Sequence, residues 1–230
     1  MSVHAVEHSD EIVRWLRPTF FIDSDDPRIV AFARDSAGEA SAPRAKAIRL
    51  YYAVRDGFRY DPYQIEMREA HFRASACIER GYGFCITKAV LLAACLRAEG
   101  IPARLGFGDV KNHLATERLL KLNNGDVFYF HGYTDVRLDG RWVKATPAFN
   151  IELCEKFGVH PLEFDGREDS VFHPYDKAGR RHMEYVNDRG TYDDLPFAEI
   201  ARTFLERCPA IFSVQGGDFL AEAAAEHRGA

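Results

Sequence analysis

The sequence predicts an α+β protein, and three stretches carry that reading: an apolar helix over residues 84–99, a β-hairpin within residues 126–150 and an amphipathic helix over residues 42–55. In residues 81–104, GYGFCITKAVLLAACLRAEGIPAR, apolar side chains such as Ile86, Ala89, Val90, Leu92 and Leu96 fall nearly all round the helix that follows the cysteine. That pattern belongs to a helix inside a core rather than on its surface. Only Lys88, Arg97 and Glu99 are expected to need water. Gly100 supplies a left-handed stop, and Pro102 prevents the helix from resuming. The hairpin rests on Asp139-Gly140, a favoured pair for a two-residue type I′ turn between strand-like runs. Leu138 then faces Arg141, Tyr133 faces Thr146 and His131 faces Ala148, so these last four share one face of the sheet.

The remaining elements follow in order. Residues 1–24, with Trp15, Phe20 and Phe21, are expected to form an edge strand and loop. Asp25-Asp26-Pro27 combines a helix cap with a proline for the first turn, starting a helix that runs to about Arg34. Residues 36–41 form the loop after it. In residues 42–55, Ala47, Ile48, Tyr51, Tyr52 and Val54 recur at helical spacing, with Arg44, Lys46, Arg49 and Arg55 for the wet face. Residues 58–63 read as a short extended segment ending at a proline-marked turn. A helix over residues 69–80 leads into the glycine turn. Residues 103–110 are expected as a strand, followed by a polar stretch with Asn112 and His113. Beyond the hairpin, residues 151–157 and 194–207 read as helices and Asp165-Gly166 as a second turn, while residues 222–230 are expected to fray.

Composition narrows the function classes. With 230 residues, 47% hydrophobic and 13% aromatic, one domain is expected over residues 1–230, its core at about 42–150 and residues 151–230 packed on it as a C-terminal extension. A net charge of −5, with both signs interspersed, leaves no electrostatic footprint for nucleic acid. No apolar run approaches the ~20 residues that span a bilayer. Five cysteines without a CxxC pair, after a charged N-terminus, predict a reducing cytoplasm. His173 and His182 match no ligand spacing, so neither a metal nor a cofactor is expected.

Chemistry points to Cys85. A thiol in the first turn of a buried helix meets unpaired backbone N–H groups and the positive end of the dipole, which favour thiolate and lower its pKa. Gly81 and Gly83 permit a tight turn and close approach of a substrate. Cys77, Cys95, Cys154 and Cys208 read as core residues. A nucleophilic thiol needs a base within hydrogen-bond reach, and the base needs a third group to hold its tautomer. His131, on a later strand, provides the base. Asp135 shares its face but lies about 13 Å along the strand, too far to bond it.

These residues resemble the transglutaminase-like superfamily of papain-type thiol enzymes. Gly83-x-Cys85-x-x-x-Ala89 with Leu96-Arg97-Ala98-x-Gly100-Ile101-Pro102-Ala103-Arg104 is similar to that family's nucleophile helix and its exit. The stretch 131–147, with Trp142-Val143 after the turn, is similar to its histidine strand and partner strand. The resemblance covers about residues 47–150. It implies a nucleophile-bearing helix packed on an antiparallel sheet, with Cys85 as nucleophile and His131 as general base and acid. The implied reaction is acyl transfer from a peptide or protein amide through a Cys85 thioester, ending on water or an amine.

Three departures stand out. The family has an aspartate directly before a proline at the end of the partner strand, and here Thr146 precedes Pro147. The Thr146 hydroxyl, or alternatively the Asn150 carbonyl, then accepts the imidazole N–H without supplying a charge. Phe84 stands where many relatives have a polar or acidic residue, and the acidic calcium clusters of large animal transglutaminases have no counterpart. An active thiol hydrolase or acyltransferase is therefore weighed against an inactive module that binds a peptide or protein partner. Oligomeric state is not legible.

Overall fold

The computed structural model describes residues 12–172, 174–213 and 216–227. At its centre a helix, α4 (Cys85–Ala98), lies across a four-stranded antiparallel sheet. Before it come α1 (Pro27–Ala37), α2 (Pro43–Gly57), β1 (Arg59–Tyr60), a 3-10 turn (Glu69–Phe72), α3 (Ala74–Arg80) and β2 (Tyr82–Gly83). After it come β3 (Ala103–Asn112), α5 (Glu117–Asn123), β4 (Val127–Leu138), β5 (Arg141–Ala145) and α6 (Ile151–Phe157). The chain then forms β6 (Met183–Tyr192), α7 (Phe197–Arg207), a 3-10 turn (Pro209–Ser213) and α8 (Phe219–His227). The sheet order is β5-β4-β3-β6, and each neighbouring pair is antiparallel.

The helix is as buried as its composition requires, and more so at its charges. Lys88 is fully buried and Arg97 is 4% exposed, contrary to the expectation that both reach water. Each is satisfied by main chain instead. The Lys88 ammonium donates to the carbonyls of Arg55, Phe58 and Ala148 at 2.7–2.8 Å, three acceptors for its three N–H bonds. The Arg97 guanidinium donates to the carbonyls of Ala103, Arg17 and Asp193 at 2.7–2.9 Å. Buried charge is tolerated only when it is hydrogen-bonded in this way. Two cations thus tie the helix to loops on both sides of the core. Ile29 and Ala33 of α1, and Leu50 and Val54 of α2, complete the packing.

Local caps agree with the sequence. The Asp26 side chain accepts the Arg28 N–H at 2.9 Å ahead of Pro27, and Gly81 ends α3 at φ 71°. The hairpin has its expected register from Leu138↔Arg141 through Thr134↔Ala145. There it stops. Thr146 donates its N–H to the Ser170 carbonyl rather than to β4, the Tyr51 hydroxyl takes the Thr146 carbonyl and Lys88 takes that of Ala148. Pro147 has no N–H with which to continue the ladder. The pairings Tyr133 with Thr146 and His131 with Ala148 therefore do not form.

Other expectations change as well. The part of the N-terminal edge strand within residues 1–11 lies outside the described residues, and residues 12–24 form a helical turn and bends without a strand. β6, α5 and α8 had no counterpart in the sequence reading. Among the described residues no helix is long and apolar enough to cross a membrane.

Candidate active site

Cys85 is the first residue of α4, where its sulfur stands over the open end of the helix. The Phe84 N–H donates to Thr87 Oγ1 at 3.0 Å, which closes the first turn from below. Gly83 is packed so tightly here that a Cβ would lie 2.6 Å from that same oxygen. The parallel pair β1–β2 sets Tyr60 against Gly83, and the Asp61 N–H donates to the Gly83 carbonyl at 2.8 Å. Tyr60 is thereby held beside the thiol.

Strand β4 passes over the same turn. A Cβ at Gly132 would sit 3.1 Å from Ile86 Cα and 3.3 Å from the Cys85 carbonyl, so backbone lies on backbone. One turn on, the Thr134 hydroxyl donates to the Ala89 carbonyl at 2.8 Å. Gly132→Ala is expected to cost about 1–3 kcal/mol, because neither side of this contact is a side chain that can turn away. A urea midpoint equal to wild type would show that the strand is free to lift.

His131 precedes Gly132, and its aim is set by an irregularity. The ladder runs Gly108↔His131 and then Val110↔Phe128, a bulge in which Phe130 adopts φ 54°. Bulges of this kind redirect neighbouring side chains. The bulge is pinned by Asp109, whose carboxylate accepts the Phe130 N–H at 3.1 Å and Arg189 Nε at 2.6 Å. The Arg189 guanidinium also lies 4.1 Å above the Phe130 ring. Asp135, on the same strand, pairs with Arg104 at 2.8 Å.

Cys85 and His131 line one cavity. Electrostatics there favour neutral forms. Burial pushes the Cys85 thiol up to about 11, while the N–H groups of Gly132, Ile86 and Cys85 itself pull the other way. The helix start therefore does not win as the sequence reading expected: desolvation outweighs it. Burial, and then the neighbouring imidazole of His182, push His131 down to about 4. Near neutral pH the resting pair is a thiol and an uncharged imidazole. Tyr60 is raised well above its ordinary value, by burial first and then by Cys85, so its hydroxyl stays a donor.

The two candidates for the third position lie close by in different states. Thr146 Oγ1 is buried without a hydrogen-bond partner, in the wall of a smaller cavity that His131 also lines. Asn150 Oδ1 accepts the Tyr60 N–H at 3.1 Å. Neither is bonded to His131. The sequence reading did not bring His182 to the site. It is buried, borders both cavities and stacks on Phe149 with ring centroids 6.2 Å apart. It directly precedes β6, an edge strand without apolar alternation, and no local pattern marked it. Among the described residues no group of three His, Cys, Asp or Glu is placed to hold a metal ion. His173 lies outside the described residues.

No curated protein matches the chain. A solved structure named "putative cysteine protease" from Cytophaga hutchinsonii is similar over 79% of this chain and 54% of its own, with 17% identity and a TM-score of 0.47. Another, named "putative protease", from Parabacteroides distasonis, is similar over 55% of this chain and 26% of its own, with 15% identity and a TM-score of 0.37. The chain thus spans about half or less of the length of these structures. The sequence model of the Transglutaminase-like superfamily matches residues 30–147, just over half of the chain and the stretch that builds both α4 and the β4–β5 hairpin. Because that match covers more than half of the chain, and α4 and strands β3 to β5 all lie within it, the chain belongs to the transglutaminase-like superfamily.

Proposed function

We propose that the protein is a thiol-dependent hydrolase or acyltransferase acting on amide bonds of a peptide or protein substrate. One observation carries this reading: Cys85, at the start of α4, and His131 share one cavity wall. In the proposed reaction His131 takes the thiol proton as sulfur attacks the carbonyl carbon. The C–S bond forms, the C–N bond breaks and the amine leaves with that proton. Water or an amine then attacks the thioester, gives its proton to His131, and the thiol is restored. The Cys85 N–H and the Tyr60 hydroxyl are the proposed donors to the oxyanion.

Thr146 is the proposed orienting residue, since a buried hydroxyl oxygen without a partner costs about 1–3 kcal/mol until it finds one. Asn150 is the alternative, its carbonyl already serving Tyr60. The chain is read as one domain that needs no metal or cofactor. Its five free cysteines support a reducing setting such as the cytoplasm. A second reading, an inactive module that binds a peptide or protein partner, is favoured by one observation: the partner-strand position holds Thr146 rather than a carboxylate.

Alkylation rate against pH separates the two. Cys85 should react fastest of the five, with a rate that falls in His131→Ala. Thr146→Asp should hold His131 as imidazolium and so shift the Cys85 profile to lower pH. Labelling indifferent to His131 would favour the inactive module. A profile that moves in Asn150→Ala but not in Thr146→Asp would transfer the orienting role to Asn150.

A further inference from the structure

We propose that the acyl group taken up by Cys85 is apolar, and that the cavity between the sheet and the C-terminal helices is its binding pocket. This rests on the thiol reading above and adds the substrate class. The cavity is walled mostly by aromatic and aliphatic side chains with a few polar groups at the thiol end, the make-up of a small-molecule site. Its walls come from both parts of the chain: Phe84, Val110 and Phe128 from the family core, and Phe204, Ile211 and Phe219 from the residues beyond it. Not one Asp, Glu, Lys or Arg lines it.

The amide oxygens in its wall are already committed. Asn112 Oδ1 accepts the Leu114 N–H at 3.0 Å. Asn123 Nδ2 donates to the Gly125 and Val127 carbonyls, and its Oδ1 accepts from the Cys208 thiol at 3.3 Å. The other polar groups are the reacting Cys85 and His131, with Tyr60, Tyr129 and His182. A carboxylate on the acyl group would lose its water in this pocket and meet no Lys or Arg to pair with its charge. An aliphatic or aromatic group loses only unfavourable hydration. The C-terminal wall is held in place at Glu222 of α8, which accepts the Tyr63 hydroxyl at 2.5 Å and pairs with Arg118 at 2.9 Å.

The test is a series of p-nitrophenyl esters: acetate, butyrate, hexanoate, 4-phenylbutyrate and the charged glutarate monoester. Attack by Cys85 releases p-nitrophenolate and leaves the acyl thioester, which water cleaves to the acid. Each buried methylene is worth roughly fourfold. From acetate to hexanoate, kcat/KM should therefore rise on the order of a hundredfold, with glutarate at or below acetate. Turnover that is lost in Cys85→Ala, yet flat along the series or highest for glutarate, would overturn the apolar pocket and leave the thiol reading standing. Thermal midpoints of Cys85→Ala with the matching N-methyl amides read the pocket without chemistry. No stabilisation by the hexanoyl amide overturns the proposal. Stabilisation by hexanoyl over acetyl, with no Cys85-dependent turnover, supports the pocket and removes the thiol reading. Relative rates of hexanoate and 4-phenylbutyrate distinguish an aliphatic acyl chain from an aromatic peptide side chain.

Discussion

Replacing Cys85 by alanine is expected to lower the proposed amide hydrolysis or transfer by roughly 10⁴-fold or more, because the proposed covalent step has no other nucleophile. The same change should remove the most reactive thiol. Cys85 is partly exposed, whereas Cys77, Cys95, Cys154 and Cys208 are buried. Cys95 lies on the same helix and provides the control. Burial pushes its thiol far above the ordinary value, and it is fully enclosed. Cys95→Ala should therefore keep the labelling rate and cost about 1 kcal/mol of stability through lost packing. Peptide mapping after alkylation checks both variants. If labelling persists unchanged in Cys85→Ala, the nucleophile assignment falls, because the reactive thiol then lies elsewhere.

Lys88→Met is expected to have the largest effect on stability, on the order of 3 kcal/mol. Methionine matches the shape of the side chain and relieves the burial of a charge, which by itself stabilises. It also leaves the carbonyls of Arg55, Phe58 and Ala148 without their donor. Each unsatisfied group costs about 1–3 kcal/mol, so the three together outweigh the relief. The check is the urea midpoint, with the slope unchanged. Its pH dependence carries a sign. Burial lowers Lys88 to about 7, while an unfolded lysine titrates near 10.4. Between these values the unfolded chain holds a proton that the folded chain has released, so this group makes wild-type stability rise with pH. The deficit of Lys88→Met should therefore grow from about pH 7 to about pH 10. A deficit independent of pH would mean that the three carbonyls keep the ammonium charged throughout. Since Ala148 lies in the loop after Thr146, the variant should also slow alkylation of Cys85.

How much was legible follows from how local each signal is. The central helix, the Asp139-Gly140 turn and the ladder up to Ala145 are written in short-range pattern, and the structure has them. The end of that ladder is not, because Thr146 leaves β4 for Ser170, a partner far along the chain. β6 escaped notice because most of its residues are exposed at a sheet edge, so no apolar alternation was needed. Lys88 and Arg97 looked like surface residues because side-chain chemistry alone cannot reveal three waiting carbonyls.

The sequence by itself determined an α+β chain with a thiol at the start of a buried helix and a histidine on a following strand, since periodicity, caps and turn residues act over a few positions. The tertiary structure alone decided the electrostatics and the company of that thiol. Desolvation depends on every chain segment packed around a group, and here it reverses the effect of the helix start on Cys85. The bulge at Phe130 that aims His131 is pinned by Asp109 and Arg189 from two other strands, and the walls of the cavity come from residues more than a hundred positions apart. Such contacts depend on how the segments meet, which no local pattern encodes.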